Sequence, residues 1–353
     1  MAFIHCEGFD QMTVSPTNIT ELALEYLSPG GSTFWDLPYT GSTYARHGVG
    51  KGIKIYDQLG LIVSPRSSFV EGFALYVDAS APQPGTVASL WDDAGARAQL
   101  VLTINGDNSV SVYLGGLLHT SPSGSPLATS DVNKIRQRTW MFIEWKGVID
   151  PTAGSVTVRV NGETVVDVSG INTRSTANST YTTAYLANPG VACWTDDWYL
   201  LDQDGLSLND FLGDIVVEDQ LALAGNGHYT EFTPSTGSDH GAMVDDPTFD
   251  GDDTYNWSLT PDVRDTFVFP AITRLDSVDA VRLSLTARKE GYGTRAIAGL
   301  VRSGTGDATD SVDHYLALGY EDYDVRLPVN PVTSTAWSVA SVDAAELGVK
   351  ITV

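Results

Sequence analysis

Thr139-Trp-Met-Phe-Ile-Glu-Trp-Lys146, Val156-Thr-Val-Arg-Val160 and Thr164-Val-Val-Asp-Val168 are short runs of β-branched and aromatic residues. They are separated by Val148-Ile-Asp-Pro-Thr-Ala-Gly-Ser155 and by Asn161-Gly162. Such runs favour strands, and Asn-Gly favours a tight hairpin turn because both residues tolerate the positive φ it needs. The stretch therefore predicts a three-strand antiparallel meander. Outward from it the pattern repeats in Ser68-Phe-Val-Glu-Gly-Phe-Ala-Leu-Tyr-Val-Asp78, Gln99-Leu-Val-Leu-Thr-Ile-Asn105 and Ser109-Val-Ser-Val-Tyr-Leu114. Asn105-Gly-Asp-Asn108 closes a hairpin between the last two. Helical signals are short, at Asn18 to Leu27 and at Ala336 to Glu346, the second ended by Gly348. About a dozen strands without alternating helices predict an all-β protein built from antiparallel sandwiches.

The chain has 353 residues, with 34 Gly and 16 Pro, and only 18% of its residues are charged. That length suits two domains. The strand pattern lapses at Ala222-Leu-Ala-Gly-Asn-Gly-His-Tyr-Thr230, which divides the chain into a domain over 1–222 and a smaller C-terminal β-sandwich over 223–353. An Asp-rich stretch at 235–254 reads as an acidic linker. Strands then resume at Thr266-Phe-Val-Phe269 and continue around Asp279 to Ala287, Thr294 to Val301, Asp313 to Tyr320 and Gly348 to Val353.

Forty-four acidic residues against 20 basic ones give a formal charge of -24. The resulting field repels phosphate backbones and anionic lipid, which argues against nucleic acid and membrane surfaces as partners. Cys6 and Cys193 form no metal-ligand spacing and no disulfide framework. No run approaches the length of a membrane span, and the N-terminus lacks a basic region and an apolar signal core, so folding in a cytosol is expected.

Catalytic chemistry finds little support. A retaining glycosidase needs two carboxyl groups about 5–5.5 Å apart, and no strand carries such a pair; Glu144, between Ile143 and Trp145, reads as structural. His5, His47, His119, His228, His240 and His314 are scattered, and no nucleophile elbow accompanies them. Gly48-Val-Gly-Lys-Gly52 and Gly291-Tyr-Gly-Thr294 lack the spacing of a phosphate loop and read as turns. Asp92-Asp93, Asp196-Asp197, Asp202 with Asp204, and Asp250-Gly-Asp-Asp253 offer oxygen ligands suited to Ca²⁺. Capping of turns is the commoner use of such acids, and Asp196 and Asp197 lead the calcium candidates because they open a strand. Trp35, Trp91, Trp194 and Trp198 could present aromatic faces to a glycan, although most aromatic residues of a sandwich are core. Trp140 and Trp145 stand at an odd offset, so they point to opposite faces of one strand, and one of them is expected outside the main core at an interface.

Several segments resemble the concanavalin A-like (laminin G-like) jelly rolls of tailed-bacteriophage virion proteins. These are Cys6-Glu-Gly-Phe-Asp10, Ala45-Arg-His-Gly-Val-Gly-Lys-Gly-Ile-Lys-Ile55, Trp140 through Glu144 with Gly154 to Gly162, and Asp196-Asp-Trp-Tyr-Leu-Leu-Asp202 followed by Asn209-Asp-Phe-Leu-Gly-Asp214. The resemblance implies a concanavalin A-like jelly roll in the N-terminal domain. It also implies a non-enzymatic structural protein of the virion, made in the host cytoplasm: a tail, baseplate, fibre or spike, or head-decoration component. Such a subunit would assemble with copies of itself, as a trimer on family grounds, and with other virion proteins, and could touch a host-surface glycan. It further makes the strands of Cys6 and Cys193 neighbours. Trp35, Trp91, Trp140, Trp145, Phe211 and Leu212 are the candidate interface or glycan contacts. The alternative reading is a carbohydrate-binding or glycan-depolymerising jelly-roll module.

Overall fold

The computed structural model describes residues 3–9, 46, 53–54, 58–79, 84–118, 121–247 and 249–353. The Asn18 to Leu27 helix, Trp35 and the Gly48 to Gly52 turn lie outside the described residues. The chain divides into two units, Met1–Val217 and Glu218–Val353. The division thus precedes the Ala222 to Thr230 stretch, and Glu218 pairs with Arg274 of the second unit.

The first unit is a sandwich of two antiparallel sheets. One sheet runs β1 (Phe3–Glu7), β14 (Cys193–Leu201), β4 (Ser68–Val77), β10 (Met141–Val148), β11 (Gly154–Val160) and β12 (Glu163–Ile171), with β2 (Ile53–Lys54) also on β14. The other runs β3 (Gln58–Arg66), β13 (Tyr181–Ala187), β5 (Gly85–Asp92), β6 (Arg97–Ile104), β7 (Val110–Leu118) and β8 (Ser121–Pro122), with β9 (Pro126–Thr129) also on β7. The predicted meander is β10-β11-β12, and its tight turn has Asn161 and Gly162 both at positive φ. Alternation decides the layers: Val156, Val158 and Val160 of β11 face inward while the residues between them are half-buried. Phe69, Phe73 and Leu75 of β4 join Leu100, Leu102 and Ile104 of β6 in one core. Within it Phe69 packs edge-on against Trp145 at 4.6 Å between ring centroids.

The second unit is also two-layered. β17 (Arg264–Phe267), β23 (Ala345–Ile351), β19 (Ala296–Ser303) and β20 (Gly306–Thr309) form one sheet, with β21 (His314–Tyr315) on β19. β18 (Val281–Ala287) and β22 (Glu321–Leu327) form the facing hairpin, and β15 (Thr233–Pro234) pairs with β16 (Asn256–Trp257). Leu283, Val325 and Leu327 pack on Val301 and Leu347, with Trp337 in the same cluster. The layers touch so closely that a Cβ on Gly299 would overlap the Val325 side chain. The predicted C-terminal helix shrinks to α1 (Val339–Asp343), capped by Ser338 and Ser341 in a reciprocal box.

The Asp-rich stretch at 235–254 lies within this second unit and is held there by specific contacts. His240 Nδ1 lies 2.7 Å from Asp265 Oδ2, and both side chains are buried. Asp239 accepts the Gly225 N–H at 2.7 Å, Arg288 reaches Asp252 at 2.8 Å, and the Tyr320 hydroxyl donates to the Gly251 carbonyl at 3.0 Å. Asp residues are favoured here because they satisfy backbone donors that an irregular segment leaves unpaired.

Candidate functional site

Cross-strand register places three rows of side chains on the outer face of the β3-β13-β5-β6-β7 sheet, opposite the core. The central row reads Gly60, Tyr185, Ser89, Val101 and Tyr113. On one side lie Ile62, Thr183 and Trp91. On the other, Gln58 lies beside Ala187, and Thr86 leads through Thr103 and Ser111 to Thr129. Adjacent rows are about 7 Å apart, two residues along a strand. Trp91, Tyr113 and Tyr185 pack together over Ala98 and Val101. Gly60 is required beneath Tyr185, since a Cβ there would overlap the phenol ring. Little of the cluster reaches the surface: Tyr185 is 2% exposed, Tyr113 8% and Trp91 9%, and Ile62 beside them is exposed.

The polar groups of this face are held unevenly. Gln99 is fully buried: its amide donates to Thr176 Oγ1 at 3.0 Å and to the Asn178 and Thr180 carbonyls, and its carbonyl accepts from Ser175 N at 2.8 Å. Ser111 shares a 2.8 Å hydrogen bond with Thr129. Asp92 accepts from Thr176 and Asn178, and Asp93 accepts from the hydroxyls of Thr182 and Thr183. By contrast Gln58 Oε1, Thr86 Oγ1 and Ser89 Oγ are buried without a hydrogen-bond partner. Native structures leave few such atoms, and each asks for an explanation.

The sequence candidates separate. Trp91 belongs to this face. Trp145 does not: it is fully buried in the main core, which overturns its reading as an interface or glycan contact. Trp140 is the member of the pair outside the main core, half-buried against Tyr76 at 5.7 Å on the opposite sheet's outer face, where Tyr76 also meets Trp194. Trp198 is core.

Phe211 and Leu212 are not free contacts either, because they belong to a strap that lies across β10 and β14. The Phe211 ring sits under the Lys146 ammonium at 4.7 Å and the Arg159 guanidinium at 4.3 Å. Leu212 N donates to the Tyr199 hydroxyl, and Gly213 N donates to Glu144 at 2.8 Å. Glu144 also accepts from the Tyr199 hydroxyl at 2.6 Å, which fits its structural reading. Tyr199 lies flat here because its partner across the ladder is Gly72.

Asp196 and Asp197 sit at a bulge of β14, with Asp197 at positive φ. Asp196 accepts the Asp197 N–H at 2.8 Å. Asp197 accepts from Val217 N at 2.7 Å and pairs with Arg46, which also pairs with Asp214 and donates to the Ile215 carbonyl. These carboxylates serve the bulge and the strap, which displaces the calcium reading. Among the described residues no group of three or more His, Cys, Asp or Glu converges as a metal site. β1 does neighbour β14, but Cys6 faces Tyr199 while Cys193 faces Val77 on β4, so the two cysteines are not opposed.

Sequence reasoning missed Glu71. It lies on the inner face of β4, fully buried, with one oxygen accepting the Trp145 indole N–H at 2.6 Å and the other the Trp198 indole N–H at 2.8 Å. Desolvation raises its pKa to about 8, against the two hydrogen bonds that favour the charged form. The neighbouring Tyr181 hydroxyl, buried without a hydrogen-bond partner, is likewise pushed upward, by burial and then by the Glu71 charge. The available signal was a Glu at an inward position of an otherwise apolar alternating strand.

No family model matches the chain, and no curated protein matches it either. Solved structures similar to it include the carbohydrate-binding module CBM66 from Bacillus subtilis, 7% identical over 48% of this chain and 92% of that one, TM-score 0.33. The alginate lyase Aly36B is 13% identical over 50% of this chain and 83% of its own, TM-score 0.31. The cellulose-induced protein Cip1 is 13% identical over 59% of this chain and 99% of its own, TM-score 0.36.

Proposed function

We propose that the N-terminal sandwich is a non-catalytic glycan-binding module that uses the outer face of the β3-β13-β5-β6-β7 sheet. The observation that carries this reading is the aromatic cluster of Trp91, Tyr113 and Tyr185, of which the Trp91 and Tyr113 edges reach the surface beside the exposed Ile62. A sugar ring has an apolar face and a hydroxylated rim, so it is matched by aromatic surface beside short polar side chains. The nearby carboxylates support holding rather than cleaving, since Asp92 and Asp93 are each engaged by neighbouring Thr or Asn side chains. Isothermal titration of the whole protein against soluble oligosaccharides tests it. Trp91→Ala is expected to weaken binding at least tenfold with the fold intact, and wild-type affinity in that variant would overturn the reading. Product analysis of the same mixtures is expected to show no chain cleavage.

A second reading keeps the setting implied by the motifs, a virion subunit that assembles with its own copies and with other virion proteins and meets a host-surface glycan. The Asp196 to Asp214 signature and the Gly154 to Gly162 hairpin favour it. Mass spectrometry of purified particles tests it: the chain should be present in a fixed ratio to the capsid and tail proteins, and absence would exclude this setting while leaving glycan binding standing.

A further inference from the structure

We propose that Thr176 and Gln99 become joined by an intramolecular ester, formed by the folded chain on itself, in which the Thr176 hydroxyl oxygen replaces the Gln99 side-chain nitrogen. The proposal is independent of the glycan-binding reading. It needs no incoming ligand, because every reacting group is already within the fold.

The parts of an acyl transfer meet at these side chains: a nucleophile on a base, a polarised carbonyl and a leaving group. The Thr176 hydroxyl donates to Asp92 Oδ2 at 2.6 Å, so its proton faces a carboxylate. Asp92 is 1% exposed and is held in turn by the Asn178 amide at 3.0 Å. Gly95 closes over this contact, since a Cβ there would overlap both Asp92 and Thr176. Thr176 Oγ1 lies 3.0 Å from Gln99 Nε2, which is one C–N bond from the carbonyl carbon. That nitrogen has two hydrogens for three oxygens, and the Asn178 and Thr180 carbonyls are closer, at 2.8 and 2.9 Å. Thr176 Oγ1 is therefore the contact least committed to accepting a hydrogen, and a lone pair stays available to the amide. The Gln99 carbonyl oxygen accepts from Ser175 N at 2.8 Å, with the Ser175 hydroxyl at 3.3 Å. These donors face the oxygen on which charge develops in acyl transfer.

The balance closes without a further reactant. Thr176 Oγ1 bonds to Gln99 Cδ while its proton passes to Asp92, and Ser175 N–H holds the negative charge that forms on Oε1. As the C–N bond breaks, the nitrogen takes that proton from Asp92 and leaves as ammonia. Asp92 returns to a carboxylate. The way out is short, because Asn178 beside the departing nitrogen is exposed. Gln99 itself is fully buried, which shields the ester from water once it has formed. Alcohols attack amides sluggishly in solution, and fixing the pair in orientation is what lets so slow an exchange proceed. The bond would tie β6 to the segment between β12 and β13, joining positions 77 apart. Such a closure removes freedom from the unfolded chain.

The test is intact-mass spectrometry of the denatured full chain, followed over time after purification. Wild type is expected one ammonia, about 17 Da, below the sequence mass, the loss that ester formation from an amide requires. Digestion should yield a peptide pair linked through Gln99 and Thr176 that hydroxylamine separates. Thr176→Val should keep the full mass, and Thr176→Ser, which retains the hydroxyl, should restore the loss. Asp92→Asn, with circular dichroism showing the fold intact, should slow linkage at least tenfold. Linkage at the wild-type rate in that variant would overturn Asp92 as the base. Ammonia lost equally from wild type and Thr176→Val would assign the loss to an Asn-Gly pair such as Asn161-Gly162 and overturn the proposal. A wild-type mass equal to the sequence mass after days at neutral pH would overturn it as well.

Discussion

Replacing Glu71 by Gln should invert the stability order of wild type and variant between acid and alkaline pH. In the folded protein the Glu71 carboxyl titrates at about 8 rather than at the ordinary 4.5. That difference corresponds to about 5 kcal/mol of preference for the protonated form in the core. Between those two pH values the folded state binds a proton that the unfolded state has released. Stability therefore falls as pH rises through this window, is greatest below 4.5 and levels off above about 8. In the Glu71→Gln variant the side chain carries no charge at any pH, so this contribution to the slope disappears. The amide has a cost of its own. Glu71 accepts two indole N–H groups, whereas an amide offers its carbonyl to one and presents an NH₂ to the other, leaving a donor unmet at about 1–3 kcal/mol. The variant should be less stable by that amount at pH 5 and more stable by about 2–4 kcal/mol near pH 9. Urea unfolding at pH 5, 7 and 9, followed by near-ultraviolet circular dichroism of the buried indoles, measures the difference. A wild-type minus variant free energy that stays constant across the three pH values would refute the reasoning.

Two further outcomes follow from burial. Trp145→Ala removes a fully buried indole and one of the donors to Glu71, and should cost about 3–5 kcal/mol in urea unfolding; Trp140→Ala, at a half-buried site against Tyr76, should cost about 1 kcal/mol or less. Arg46→Ala leaves the buried Asp197 carboxylate without its cation, which should cost about 3–5 kcal/mol. It should also speed proteolytic cleavage within residues 203–217, and cleavage at the wild-type rate would count against the strap being tethered by Arg46.

The fold was legible where local and tertiary preferences agree. In β10, β11 and β12 the β-branched runs, the Asn161-Gly162 turn and the inward alternation all indicate the same hairpins, so the meander could be read directly. Legibility failed where a residue's role depends on a distant partner. The Asp-rich stretch reads as a linker by composition, yet Asp265, on a strand 25 positions from His240, holds it against the sheet. The aromatic face was only half visible. Trp91 stood out as a tryptophan, but Tyr185 and Tyr113 come to it through β13-β5-β6-β7 pairing that no local pattern encodes. Glu71 was hidden for the same reason, because its indole partners lie 74 and 127 positions away.

The motifs that carry the phage resemblance meet in space, and their meeting explains what they encode. Arg46 comes from the Ala45 to Ile55 landmark, Asp197 and Asp214 from the closing signature, and Glu144 from the central hairpin. Arg46 joins Asp197 to Asp214, while Tyr199 and Gly213 converge on Glu144. Both knots fasten the 203–217 strap over the β10 and β14 side of the sandwich. Arg46 and Asp197 are paired at low exposure, so removing one strands the other, whereas Asp214 is largely exposed. These motif residues therefore serve the folding of the sheet and its strap. The aromatic residues of the proposed glycan face, Trp91, Tyr113 and Tyr185, lie on the other sheet. None of them belongs to these motifs, so replacing one is expected to leave the Arg46 and Glu144 contacts in place.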